Sequence, residues 1–163
     1  MPHRVFLLSP ASTAGKRCQQ LLAGDASFEL ALRLRHDRVS LGEVFSFLSA
    51  LYFRGKLTYA SRFAAPPAGC AGVYVITPDR GLLSPDTVLT LGDLRAFAQV
   101  PIDSLEERYA APLRSHSEAL RAALPRGSEV VLLGSIATAK YVDVLLPLFA
   151  KSDRKSTRLN SSH

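Results

Sequence analysis

His3-Arg-Val-Phe-Leu-Leu-Ser-Pro-Ala-Ser-Thr-Ala-Gly-Lys-Arg17 is the stretch that decides the fold. Residues 3–9 are a short, unbroken, β-rich run with Val5–Leu8 apolar, stopped at Pro10. Such a run, with no polar alternation, reads as a strand buried on both faces. Residues 10–15 are turn-like. From Lys16 to about Leu22 the spacing becomes helical, with Cys18, Leu21 and Leu22 on one face. The unit is strand, polar turn, helix.

The same unit recurs. Val73-Tyr-Val-Ile-Thr77 is a second strand, stopped by Pro78, and Glu129-Val-Val-Leu-Leu133 is a third, followed by Gly134. Between them the spacing predicts helices over about 27–35, with Ser27 as N-cap, and over 90–98, with Thr90 as cap and Asp93 three residues on. Further helices are expected over 113–124, ended by Pro125 and Gly127, and over 138–149, with a shorter one over 104–109. The aromatic stretch 43–63 opens ambiguously. From Phe53 onward Leu57, Ala60 and Phe63 suit a helix with Gly55 inside it, and 64–72 is a loop. Three apolar strands, each leading into a turn and a helix, predict an α/β fold of three-layer, Rossmann-like form with a mostly parallel sheet.

Length and composition agree with one such domain. The chain has 163 residues, 47% apolar and 21% charged, which argues against disorder, a collagen-like sequence or a disulfide scaffold. Residues 153–163, Asp-Arg-Lys-Ser-Thr-Arg-Leu-Asn-Ser-Ser-His, resemble the in-frame translation of a sequencing-library adapter. The domain is therefore expected to occupy residues 1–152, truncated at its C-terminal side, with 153–163 a non-native tail. The tail holds Arg154, Lys155 and Arg158 against Asp153, so without it the net charge falls from +6 to +4. That mild excess permits an anionic partner without demanding one.

Cys18 and Cys70 lack metal or redox spacing, and the four histidines form no ligand pair, so no metal and no cofactor is expected. Cys18, near a helix start, is either a slightly stabilised thiolate or a small packed residue. The Val5–Leu8 run is too short for a signal-peptide core, and no segment approaches a membrane span. The expectation is a cytoplasmic protein with no membrane association. The oligomeric state is left open.

In parallel sheets, ligands bind outside the carboxyl ends of the strands, so three turns carry the candidate chemistry. The first, Ser9–Arg17, ends in Gly15-Lys16 like a P-loop. It departs from that motif at Pro10, where a glycine wraps phosphate, and at Arg17, where a hydroxyl binds magnesium. What remains is a helix N-terminus with Ser9, Ser12, Thr13, Lys16 and Arg17 placed to bind an anion. The plainer reading is a polar cap with solvated cations. The third turn, Gly134-Ser-Ile-Ala-Thr-Ala-Lys-Tyr141, repeats this logic and offers Gly134, Ser135, Thr138, Lys140 and Tyr141 as ligand contacts, or merely a tight turn with a cap. The middle turn supplies Asp79, Arg80 and Asp86. The two acids are catalytic candidates, as base, nucleophile or ribose partner, or simple turn caps beside Pro78 and Pro85. Tyr52, Arg54, Lys56, Tyr59 and Arg62 form either a basic, base-stacking face or a packed helix with snorkelling cations.

Four segments together are similar to an uncharacterised bacterial α/β family known as a domain of unknown function. They are Val5–Ser9 with its turn, Leu51-Tyr-Phe-Arg-Gly-Lys-Leu-Thr-Tyr-Ala60, Val75-Ile-Thr-Pro-Asp-Arg-Gly-Leu-Leu-Ser-Pro-Asp86, and Val130-Val-Leu-Leu-Gly134 with Tyr141. That family resembles the uracil-DNA-glycosylase-like and deoxyribosyltransferase-like folds. This chain departs from it in carrying Ser9 and Ser12 where the family's first turn usually holds cysteine. The resemblance implies nucleotide, nucleoside or nucleic-acid binding, and N-glycosidic-bond chemistry in nucleic-acid modification or defence. The alternative is a non-catalytic interaction module of a larger system.

Overall fold

The computed structural model describes residues 2–36, 38–49, 51–134 and 140–149, and the backbone of 158–162. The first strand, β1 (Arg4–Leu8), is followed by α1 (Lys16–Leu22), α2 (Glu29–His36), the two-residue β2 (Val39–Ser40), α3 (Leu41–Ser49) and α4 (Leu51–Phe63). Next come β3 (Val73–Ile76), β4 (Leu82–Leu83), β5 (Val88–Leu89), α5 (Leu91–Ala98) and α6 (Glu107–Ala123). The chain continues with β6 (Glu129–Leu133), α7 (Val142–Phe149) and β7 (Arg158–Ser162). The protein is mixed α/β, as the strand–turn–helix pattern predicts.

The main sheet has the order β4-β3-β1-β6-β7. β1 is central and parallel to both β3 and β6, with Phe6 opposite Val73 and Val131. Only β4 runs antiparallel, closing a tight turn at the end of β3. That turn is held at Thr77, whose amide and hydroxyl both donate to the Gly81 carbonyl, at 2.9 and 2.8 Å. Gly81 has φ +63°, and a Cβ there would lie 2.6 Å from the Pro112 carbonyl of α6, so both conformation and space select glycine. β7 pairs in parallel with the outer edge of β6, Leu132 opposite Ser161. β2 and β5 form a separate antiparallel pair.

Two apolar clusters share β1. Phe6 and Leu8 join Val73 and Val75 with Cys18, Leu21, Leu34, Phe45, Phe53 and Phe97, contributed by α1 to α5. Val5 and Leu7 join Ile76, Val130 and Leu132 with Tyr109, Leu113, Val144, Leu145 and Phe149, contributed by α6 and α7. Cys18 is fully buried and burial pushes its thiol up, so it is the small packed residue of the two alternatives.

Two local expectations resolve here. Residues 41–49 are helical because Leu41, Val44, Phe45 and Leu48, all buried, follow the i, i+3, i+4, i+7 spacing of one helix face. That period starts at Leu41, so a window opened at Glu43 misses it. Residues 107–123 are one helix rather than two, with Pro112 inside it. The proline removes a single bond, to the carbonyl of exposed Arg108, while Tyr109, Leu113 and Leu120 are buried along one face.

Candidate functional site

The carboxyl ends of β1 and β6 open into a crevice of about 1,080 Å³. β1 and β6 are hydrogen-bonded neighbours, and the Ser9 amide continues their ladder to the Leu133 carbonyl at 3.0 Å. The first and third turns therefore meet. Ser9, Ser12 and Thr13 line the crevice from one side, and Gly134, Lys140 and Tyr141 from the other. Ser135 and Thr138 lie outside the described residues.

The backbones approach closely. A Cβ at Gly134 would sit 2.6 Å from the Ser9 Cβ and Oγ and 2.8 Å from the Tyr141 hydroxyl oxygen. Glycine is thus required by contact across the strand ends. Tyr141 immediately precedes α7, its carbonyl accepting from the amides of Val144 and Leu145 at 3.2 and 2.9 Å. Beneath it Tyr109 is fully buried, and its hydroxyl has no hydrogen-bond partner among the described residues. Burial, reinforced by neighbouring Tyr141, pushes the Tyr109 phenol well above its ordinary value.

A third wall comes from α4. Phe53 and Ala60 face the apolar cluster, while Tyr52, Gly55, Lys56 and Tyr59 line the crevice. The spacing 52, 55–56, 59 marks one helical face, and it is the signal that singles out Lys56 over Arg54. The Lys56 Nζ donates to the Ser9 Oγ at 2.5 Å and lies 5.9 Å from the Phe53 ring centroid. Burial lowers the Lys56 ammonium below its usual value. Tyr52 is 85% exposed and Tyr59 52%, and Tyr59 meets Phe6 edge-on at 5.9 Å. The segment after α5 (Ala98, Gln99, Val100, Pro101 and Ile102) closes the remaining side. Among the described lining residues there are two lysines and no Asp or Glu.

The other sequence candidates lie elsewhere. Lys16 is exposed at the start of α1 and lines neither large cavity. Arg17 turns away, donating to the Phe47 carbonyl at 3.1 Å with its guanidinium 5.3 Å from that ring's centroid. Arg17, Arg54 and exposed Asp86 line a second groove of about 1,110 Å³, flanked by α2, α3 and α4. Arg80 pairs with Asp93 and stands 5.6 Å from the Phe97 ring centroid. Desolvation alone would raise the Asp93 carboxyl, but the Thr90 amide and the Arg80 guanidinium outweigh it and hold it below the usual range. Asp79 is half-buried. Its Oδ1 has no partner among the described residues, and burial raises its carboxyl despite adjacent Arg80. Neither Asp79 nor Asp86 lines the crevice.

Among the described residues, no helix is long and apolar enough to cross a membrane. No family model, curated protein or solved structure matches this chain.

Proposed function

We propose that this protein binds a nucleotide or nucleoside phosphate in the crevice between β1 and β6, within a three-layer, Rossmann-like arrangement. Successive residues of a strand point to opposite faces. The division of β1 into Phe6 and Leu8 on one side and Val5 and Leu7 on the other, each with its own helices, supports the layers. The order β3-β1-β6 supports the site, because the chain leaves β1 for β3 and later returns to the opposite side as β6. Such a reversal splays the connections apart and leaves a ligand crevice at the strand ends.

One observation carries the reading. Ser9, Ser12, Thr13, Lys56, Lys140 and Tyr141 converge on a crevice whose described lining holds two lysines and no carboxylate, with Tyr52 and Tyr59 exposed on its rim. Lysines and hydroxyls suit phosphate, and exposed tyrosine rings suit a base. The N-glycosidic step implied by the family resemblance would call on a carboxylate. Asp79 and Asp86 lie outside the crevice, so the proposal is confined to binding.

The test is a thermal-shift and calorimetric titration with mononucleotides, nucleosides and short oligonucleotides. A true ligand at a hundredfold excess over its Kd adds about 2.7 kcal/mol of stability, a rise of roughly 5–10 °C in Tm for a chain of this size. Lys140→Met should weaken it about tenfold or more, the loss of one charge-assisted hydrogen bond. No shift with any of these compounds would refute the reading.

A further inference from the structure

We propose that Ser9 is a nucleophile and Lys56 its general base, forming an acyl-transfer centre that hydrolyses carboxylic esters entering the crevice.

Two facts of geometry carry this. The Lys56 Nζ is 2.5 Å from the Ser9 Oγ, within reach of direct proton transfer. Both atoms belong to residues that line a crevice large enough for a small-molecule substrate. A lysine held for stability alone is expected to face a carboxylate. Lys56 is instead half-buried against a hydroxyl and a phenyl ring, with no carboxylate in the described lining. The charged groups and phenols around it are Lys140 and Tyr141 across the crevice and Tyr52 and Tyr59 on its own helix. Burial favours the neutral amine, the form able to accept a proton.

The step balances without a further reactant. The neutral Nζ takes the Ser9 hydroxyl proton as the Oγ attacks the ester carbonyl carbon. The bond to the leaving alkoxide breaks, the ammonium returns the proton to it, and an acyl-serine and an alcohol result. Water then attacks the acyl-serine, its proton passing through Nζ to the Ser9 Oγ, and the carboxylic acid leaves.

The test treats the full chain with a fluorophosphonate and locates the adduct by peptide mass spectrometry. The expected result is one phosphonyl group per chain, on Ser9, at a rate that rises with pH below the ordinary lysine value as Lys56 loses its proton. Ser9→Ala should abolish the adduct. Lys56→Met should slow it about 100-fold or more, and Lys56→Arg, which keeps the cation but cannot act as a base, should be as slow as Lys56→Met. Failure of wild-type chain to label at Ser9, beside a serine hydrolase that labels in the same tube, overturns the proposal without recourse to any variant. So does labelling of Lys56→Arg at the wild-type rate. No nucleotide is present in this assay, so the binding proposal and this one can fail independently.

Discussion

Replacing Gly134 by alanine probes the contact on which the crevice is built. The new Cβ would sit 2.6 Å from the Ser9 Cβ and Oγ and 2.8 Å from the Tyr141 hydroxyl oxygen. Carbon–carbon contacts settle at about 3.5–4.0 Å, so the overlap with Ser9 is roughly 1 Å. The strands cannot simply part, because the Ser9 amide is bonded to the Leu133 carbonyl at 3.0 Å and β1 pairs with β6 along its whole length. Overpacking of this kind costs about 1–3 kcal/mol, a fall of roughly 3–10 °C in Tm for a chain of this size. Urea melts of wild type, Gly134→Ala, Ser9→Gly and the double variant form the assay, with unchanged m-values expected. Ser9→Gly removes two of the three clashing atoms, leaving only the Tyr141 oxygen. The double variant should therefore recover about 1 kcal/mol or more relative to additivity. Tyr141→Phe removes one clashing oxygen and should recover less. A Gly134→Ala protein within about 0.3 kcal/mol of wild type, or a double variant that is simply additive, would refute the close-approach reasoning.

Three further outcomes follow from the β3–β4 turn and α5. Asp79 has its carboxyl raised by burial, so its protonated form suits the folded state better than its charged form. Its contribution to stability is fully present below the ordinary value of 3.8 and is lost as pH rises through the folded-state value. Asp79→Asn should thus melt roughly 1–3 °C higher than wild type at pH 7, and the gap should close in calorimetry below pH 3.8. Thr90 and Asp93 cap α5 reciprocally, each side chain accepting from the other's amide, at 3.2 and 2.8 Å. Thr90→Ala should cost about 1 kcal/mol in denaturant melts. The Asp93 carboxyl is lowered in the fold, so its contribution is present above 3.8 and is lost as pH falls through the folded-state value. The deficit of Asp93→Asn should accordingly shrink in acid, and a constant deficit across pH 2–7 would show that its charge is not involved.

Local periodicity and end signals determined a good deal by themselves. The three parallel strands, α1 from Lys16 to Leu22, and the Thr90–Asp93 cap are all legible because each rests on residues adjacent in sequence. The convergence of the first and third turns was also within reach, since parallel strands that pair must present their carboxyl ends together. What neighbours in sequence cannot carry is direction. Arg17 and Lys16 share a turn with Ser12 and Thr13, yet one helical step swings Arg17 towards Phe47 and leaves Lys16 in solvent. Asp79 and Asp86 follow a strand end as a catalytic acid would, yet the β3–β4 hairpin carries both away from the crevice. Lys56, 47 residues from Ser9, becomes its partner only because α4 packs beside β1. Contacts of that separation depend on how helices settle on the sheet, a property of the packed core as a whole. The pairing of Lys56 with Ser9 was therefore made by the tertiary structure, while the strand ends that gave it meaning were already written in residues 4–9 and 129–134.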